Sequence, residues 1–519
     1  MRFLQFREKW IQYIYFAALS LVVCCHVLIR DGELLGSQGA EVFGHAWTHW
    51  WRGEAFPHWP NGTDLAVNTT NWPVMDPLPM LVSSTMGYFF GPVFGYNFWI
   101  CCSVFLAAWG GWLLAKQVGG NPWVGSLVLA WSPAFIGSLR SGLTEDGGVG
   151  LIAMGLAFLL ANQWWLAGIC IGLSAWCGLV LGWFGGIAAL VVGFAIIKQD
   201  RQRWKKVFSA GSIGLLLSAV AGWFHMDRLA QEGKRFGELQ IEHEPNWILN
   251  PVHHCDLASL FVPGQVDMEG LLIRTHPGYL GVFVVFCALV GFRWRWFTVA
   301  FTMLFLSFGE VIWFMGSSTG IPNPVTAVFT LLPGGEQINH YGRALPIASI
   351  AISVLASMGV QRIAKRLSNG NWILLLLVGL DLSLLSPISP ILPVTEPSPK
   401  ILSQLDDLSP GAVLVLPAGG PDISFQKPLW EQRLHNRVVL LDPNQPGIPS
   451  KYAKGEWMKW LNGLAFHDDN FVGQVSFAPT IALLLVKKEY SFRLIDVLGP
   501  PDKRDQSYFI WDIRSRTKK

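Results

Sequence analysis

The stretch GGVGLIAMGLAFLLANQWWLAGICIGLSAWCGLVLGWFGGIAALVVGFAII, residues 147–197, carries no charged side chain over 51 positions. A crossing helix needs about 20 predominantly apolar residues, so this stretch alone holds two or three membrane spans. The rest of the chain agrees. Of 519 residues, 51% are hydrophobic and only 14% charged, against roughly 25% charged in ordinary globular domains. A soluble protein is excluded, and the sequence reads as a polytopic helical membrane protein. The formal net charge of +3 gives no sign of nucleic acid as a partner; the basic residues gather at helix ends, as membrane topology requires. Seven of eight cysteines lie in apolar segments and only Cys255 in a polar loop, so no disulfide framework is expected. The first apolar stretch follows Arg2, Arg7 and Lys9 like a signal sequence, but the many later spans favour a retained helix.

Working outward, the patterning predicts crossings at 10–29, 97–114, 122–139, 147–160, 207–224, 278–290, 297–308, 343–360 and 372–385. Two more short, tilted crossings fall within 164–197, broken by Gly182, Gly185 and Gly186; the alternative, a single kinked helix, would invert part of the topology. Residues 81–94 are read as lying along the interface. Five basic residues against one acid in 198–206 mark a cytoplasmic loop. That gives about 11 crossings with the C-terminus outside. After Pro393 charges return, and short apolar runs at 412–416, 438–441, 481–486 and 508–513 read as strands, with an amphipathic helix at 455–464. The expected fold is an all-α polytopic membrane domain over residues 1–392, with outer loops 30–80, 227–276 and 310–342. A small α/β domain over 393–519 follows on the outer face.

The first outer loop is where chemistry gathers. In GAEVFGHAWTHWWR, residues 39–52, Glu41, His45, His49 and Arg52 recur every three or four positions and share one helix face. Trp47, Trp50 and Trp51 lie around them, which predicts a short helix at the membrane surface with its tryptophans at headgroup level. A carboxylate there could take a proton from an acceptor hydroxyl; alternatively the helix is an interfacial anchor whose polar side faces water. His45 and His49 have the spacing of two metal ligands but no third nearby in sequence. His253, His254 and Asp256 could complete such a site across space. No metal ligand is assigned, and room is left for a divalent cation. Glu41, Asp64, Asp76, Glu145, Asp146 and Asp256 come from separate loops on one face of the membrane, where ionisable groups are costly unless paired or facing a cavity. Arg52, Arg140 and Arg343 suit phosphate through charge-assisted hydrogen bonds. Neither a phosphate-cradling glycine loop before Lys-Ser/Thr nor a His-Glu-x-x-His motif is present.

Four places carry a family likeness. They are the acidic opening around Glu41; residues 75–78 (MDPL) running to 91–97 (GPVFGYN); residues 120–133 followed by the loop with Glu145; and 320–324 (GIPNP), then 332–335 (LPGG) and Arg343 at the head of a helix. In order and spacing the chain resembles integral-membrane glycosyltransferases with the C-type (GT-C) fold, and within them poorly characterised bacterial YfhO-like proteins. The likeness covers nearly the whole chain. It implies a polyprenyl-phosphate sugar donor, with a glycan, lipid or protein acceptor beside the membrane lipid. It also implies a multi-pass protein of the inner (cytoplasmic) membrane with its C-terminal domain extracytoplasmic. The catalytic carboxylate, commonly an aspartate in such proteins, corresponds to Glu41. His45, His49, Arg52, Asp64, Asp76, Arg140, Glu145, Asp146 and Arg343 are the substrate-binding candidates. Where relatives often carry a second arginine four positions before Arg343, this chain has Asn339, with His340 beside it. The implied function is glycosyl transfer at the extracytoplasmic face. The rival class is a non-enzymatic component of cell-envelope glycan assembly, a translocator or a scaffold.

Overall fold

Where an apolar chain must cross lipid, every backbone amide has to be satisfied within its own segment, and helices result. The computed structural model describes residues 2–28, 32–37, 41–55, 76–242, 255–261, 278–315, 317–332, 341–367, 370–416, 426–439, 481–488 and 492–516. In chain order the first helices are α1 (Arg2–Val23), α2 (Val42–Ala55), α3 (Pro77–Phe90), α4 (Pro92–Gln117), α5 (Pro122–Ala130), α6 (Pro133–Arg140), α7 (Val149–Leu160), α8 (Trp164–Cys177), α9 (Leu179–Gln199) and α10 (Trp204–Glu242). Then come α11 (Val282–Val290), α12 (Trp294–Ser307), a hairpin of β1 (Val311–Phe314) and β2 (Ser317–Pro322), α13 (Pro324–Phe329), α14 (Leu345–Ala364) and α15 (Gly370–Leu380).

Sequence punctuation sets these boundaries. Asn121 caps α5 by accepting from the amides of Trp123 and Val124, with Pro122 in the first turn, where its missing N–H costs nothing. Pro133 parts α5 from α6, and α7 ends before Asn162, which sits at φ 63°. Among the described residues, five stretches are long and apolar enough to cross a membrane: Pro92–Gln117, Pro122–Arg140, Leu179–Gln199, Arg201–Trp223 and Tyr341–Ala364. Shorter apolar helices occupy Trp10–Val23, Trp164–Cys177 and Gly370–Leu385. These lengths do not confirm the count of 11 spans. The helices approach closely where side chains are small: a Cβ on Gly291 would strike the Leu355 carbonyl, and one on Gly359 the Cys287 carbonyl. Such contacts let α11 and α14 touch backbone to backbone, the usual device where lipid removes the hydrophobic drive between helices.

Several boundaries differ from expectation. The 164–197 stretch does form two helices, but the break falls at Gly178 in extended backbone, and Gly182, Gly185 and Gly186 are helical. Residues 227–242 continue α10 instead of opening a loop; their polarity comes from Arg, Gln, Glu and Lys, all good helix formers. Residues 77–90 are helical and only Gly91 interrupts them, so α4 begins at Pro92, earlier than the expected crossing.

After Pro393 a 3₁₀ helix (Lys400–Asp407) leads into β3 (Ala412–Leu416), α16 (Lys427–Glu431), β4 (Ile481–Lys487), α17 (Phe492–Leu498), β5 (Lys503–Arg504), β6 (Tyr508–Asp512) and α18 (Ile513–Arg516). The sheet order is β3-β4-β6-β5. β3 and β4 run parallel, whereas β6 is antiparallel to both its neighbours. The apolar run Ala482–Val486 sits centrally and is wholly buried, as a strand covered on both faces should read. The expected strand at 438–441 amounts to one parallel bridge, Val413 to Val439; its last two residues and the 455–464 helix lie outside the described residues.

Candidate active site

Glu41 immediately precedes α2, its amide bonded to the Ser141 carbonyl at 3.0 Å. Gly142, at φ +86°, makes that junction: a Cβ there would lie 2.5 Å from the Val42 nitrogen. The histidines of α2 do not face water. His45 and His49 are both buried, as are Trp47 and Trp51, so neither the interfacial anchor nor a headgroup belt of tryptophans describes this helix. The reason is cover from elsewhere in the chain. Trp47 Nε1 donates to Gln432 Oε1 at 2.9 Å, and the Gly44 amide donates to Gln426 Oε1 at 3.1 Å. Residues after Pro393 thus close over α2.

Beneath α2, carboxylates from three segments converge on His45. Its Nε2 lies 3.5 Å from Glu41 Oε2 and 3.6 Å from Glu145 Oε2, and its Nδ1 lies 3.7 Å from Asp76 Oδ2. His49 Nε2 meets Asp76 Oδ2 at 3.2 Å. Arg343, in the short turn Tyr341–Ala344 leading into α14, binds Glu145 Oε1 through Nη2 at 2.6 Å. The 3₁₀ turn Thr144–Gly148 supplies Glu145 and Asp146, and Trp99 Nε1 fixes it by donating to the Thr144 carbonyl at 2.9 Å. Gly178 lets the start of α9 press on this turn, since a Cβ there would come within 2.8 Å of the Glu145 Cβ. The break between α8 and α9 therefore serves the site.

Thr144 defines the protonation of His45. Its hydroxyl donates to Asp76 Oδ2 in a short bond, so its oxygen is left to accept from His45 Nδ1 at 2.9 Å. Burial alone would lower the His45 pKa, but Glu145, Asp76 and Glu41 outweigh it and raise it well above the usual imidazole value. The three acids thus favour the protonated form of His45. Burial works against ionisation of Asp76 too, yet hydrogen bonds and charge from His45 and His49 hold it well below the usual carboxylate range. Asp146 goes the other way. Burial and the nearby Glu145 push it to about 6 against the pull of Arg343.

Buried polar atoms without a hydrogen bond cluster here as well: Asp76 Oδ1, His49 Nδ1, Tyr96 Oη, both oxygens of Asp146, and Glu145 Oε2 with its one contact to His45 at 3.6 Å. Each such atom costs about 1–3 kcal/mol when left unbonded, so the cluster is built for something polar. The atoms also fit a cation, because one ligand atom each from His45, Asp76 and Glu145 lies within 4.8 Å of the others. A mixed imidazole–carboxylate set suits a divalent ion, whose binding requires His45 to give up its proton.

Other candidates fall elsewhere. Arg140 does not join the acids: its Nε donates to Ser37 Oγ at 3.0 Å and its carbonyl accepts from the Ser37 amide at 2.7 Å. Asp256 holds the amides of Ala258 and Met315 at 2.7 and 3.2 Å. The side chain of Arg52, and Asp64, His253, His254, Asn339 and His340 entirely, lie outside the described residues. Thr144, Tyr96 and Trp99 were not singled out by sequence reasoning, because nothing distinguishes them from ordinary residues of apolar helices and turns.

No family model matches the chain, and no curated relative matches it. Solved membrane glycosyltransferases are similar to it. The oligosaccharyltransferase AglB from Archaeoglobus fulgidus, in complex with an inhibitory peptide and a dolichol-phosphate, is 13% identical over 92% of this chain and 70% of its own, with a TM-score of 0.47. ArnT from Cupriavidus metallidurans bound to undecaprenyl phosphate is 13% identical over 97% of each chain, at a TM-score of 0.43. The arabinofuranosyltransferase AftD from Mycobacteria reaches 0.49 at 13% identity, over 93% of this chain but only 36% of its own. None of these three is a YfhO-like protein. At such scores the site's own chemistry has to carry any functional conclusion.

Proposed function

We propose that this protein transfers a sugar from a polyprenyl-phosphate-linked donor to an acceptor hydroxyl at the extracytoplasmic face of the inner membrane. The observation that carries the reading is the convergence of Glu41, Asp76, Glu145 and Asp146 on His45 and Arg343. Glu41 is the general base. Its side chain is 36% exposed, against 2% for Asp76 and 10% for Glu145, so it is the acid that reaches an incoming hydroxyl. The acceptor oxygen attacks the anomeric carbon with inversion, its proton passes to Glu41, and the carbon–oxygen bond to phosphate breaks, its electron pair leaving on the polyprenyl phosphate. Arg343 stands where charge on that phosphate develops, held in place by Glu145. The His45 imidazolium keeps the acids from repelling one another. His49 and Asp76 orient sugar hydroxyls. A divalent cation held by His45, Asp76 and Glu145 would take the place of the imidazolium's proton and supply Lewis-acid charge beside the leaving phosphate.

The test is release of polyprenyl phosphate from undecaprenyl-phosphate-linked pentoses and hexoses by the purified protein, with and without membrane extract as acceptor. Glu41→Gln should lower the rate by about 10²–10⁴-fold. A near-full rate in that variant removes Glu41 as base, and no release from any donor removes the transferase reading. Labelling a cysteine placed at the exposed Thr319 of β2, in the loop that leads to Arg343, with an impermeant reagent checks the face; protection from outside would overturn the extracytoplasmic assignment.

A further inference from the structure

Some eighteen residues along α14 from Arg343, roughly 27 Å at 1.5 Å per residue, lies a cavity unrelated to the acids. It measures about 230 Å³ and is lined chiefly by Asn121, Trp123, Gln361, Asn371 and Trp372. The end of α4, the start of α5, the end of α14 and the start of α15 meet here. The two walls from α5 and α14 belong to stretches of membrane-crossing length, and the cavity lies at their ends, which is headgroup depth for such spans.

Its chemistry is one-sided. Asn121 Nδ2 donates to Asn371 Oδ1 at 3.0 Å, while Asn121 Oδ1 is taken by the amides of Trp123 and Val124. Asn121 Oδ1 is thereby filled and Asn371 Oδ1 half used, so the remaining N–H groups of the two asparagines outnumber their free lone pairs, and Gln361 adds a carboxamide that can donate. The rings of Trp123 and Trp372 stand 6.0 Å apart at 47°, and Trp372 is 63% exposed, an amphipathic wall of the kind found at the lipid–water boundary. No cation lines the cavity itself, but the helix ends that carry its walls, and the end of α4 before them, hold the exposed Lys116, Lys365 and Arg366 within six residues of a lining residue, while Arg362 donates to the Val290 carbonyl; there is no acid anywhere in 116–124 or 360–372. Basic, donor-rich pockets between membrane helices hold anionic lipid headgroups.

We infer that this cavity is a binding site for the phosphate-bearing headgroup of an anionic phospholipid. The amides receive the phosphate oxygens, the cations supply its counter-charge, and the tryptophans flank the glycerol. The site is independent of the transfer reaction, and its loss need not alter turnover.

Full-length protein in a neutral detergent, given phosphatidylglycerol or phosphatidylcholine, provides the test through melting temperature and lipid retained in native mass spectrometry. Phosphatidylglycerol should raise the melting temperature and be retained at least tenfold better than phosphatidylcholine. Gln361→Glu, which adds like charge without removing bulk, should abolish that preference, and Trp372→Leu should weaken retention. Equal effects of the two lipids overturn the proposal, as does Gln361→Glu retaining the wild-type preference. Competition by inorganic phosphate alone at millimolar concentration would assign the pocket to free phosphate and overturn the lipid assignment.

Discussion

Two sets of buried carboxylates in this protein look alike in sequence and are treated oppositely by the fold. Asp381, in the π-turn Asp381–Leu385 that ends α15, is fully engaged. Tyr279 donates to one of its oxygens at 2.8 Å, and the amides of Phe283 and Val284 donate to the other at 2.7 and 3.1 Å. It caps α11 from another helix and leaves nothing over. The acids under α2 are paired only in part, and several of their oxygens are buried without partners. A satisfied buried acid is a structural strut, whereas a partly satisfied cluster keeps bonding capacity for water or a ligand.

The largest effect should come from Arg343→Ala, which leaves Glu145 and Asp146 buried beside Glu41 with only His45 as counter-charge. Removing one partner of a buried ion pair costs about 3–5 kcal/mol, so the melting temperature should fall sharply. A variant that melts like the wild type would mean the acids are already solvated, and the contrast with Asp381 would collapse. Next, Glu431 in α16 tests how an acid in the C-terminal region behaves. Burial pushes its pKa to about 7, and Tyr508 donates to its Oε2 at 2.9 Å. The folded state therefore holds a proton that the unfolded chain releases near 4.5. Wild-type stability relative to Glu431→Gln should decline as pH rises from about 4.5 to 7 and then level, by up to about 3 kcal/mol; a flat difference across that window refutes it.

Asp381→Asn should cost about 1–3 kcal/mol by weakening the cap while leaving donor turnover intact. Lost turnover at unchanged stability would reverse the roles assigned to the two sets. The smallest stability effect belongs to Glu41→Gln, within about 0.5 kcal/mol because the side chain is partly exposed, although turnover should collapse. A large loss of stability would make Glu41 a strut like Asp381.

Much of this molecule can be read from residue order. The charge-free stretch, the paired helices within 164–197 and the strands at 412–416 and 481–486 follow from period and composition, which local backbone physics obeys. The site is legible only in fragments. Glu41, His45, His49, Asp76, Glu145, Asp146 and Arg343 could be nominated because charged residues near lipid are expensive. Arg140 was nominated by the same reasoning, yet it braces Ser37. Residues 227–242 were misjudged because polarity was taken for a loop, when helix propensity governed.

Sequence alone determined that the chain is a many-helix membrane protein with charged groups held in the connections, because hydropathy and periodicity are local properties. Only the tertiary structure decided that Thr144 bridges His45 and Asp76, that the tryptophans of α2 lie under a cover from the C-terminal region, and that Gly178 makes room for Glu145. Those facts depend on which distant segments pack together, and no periodicity within a segment encodes what another segment will place against it.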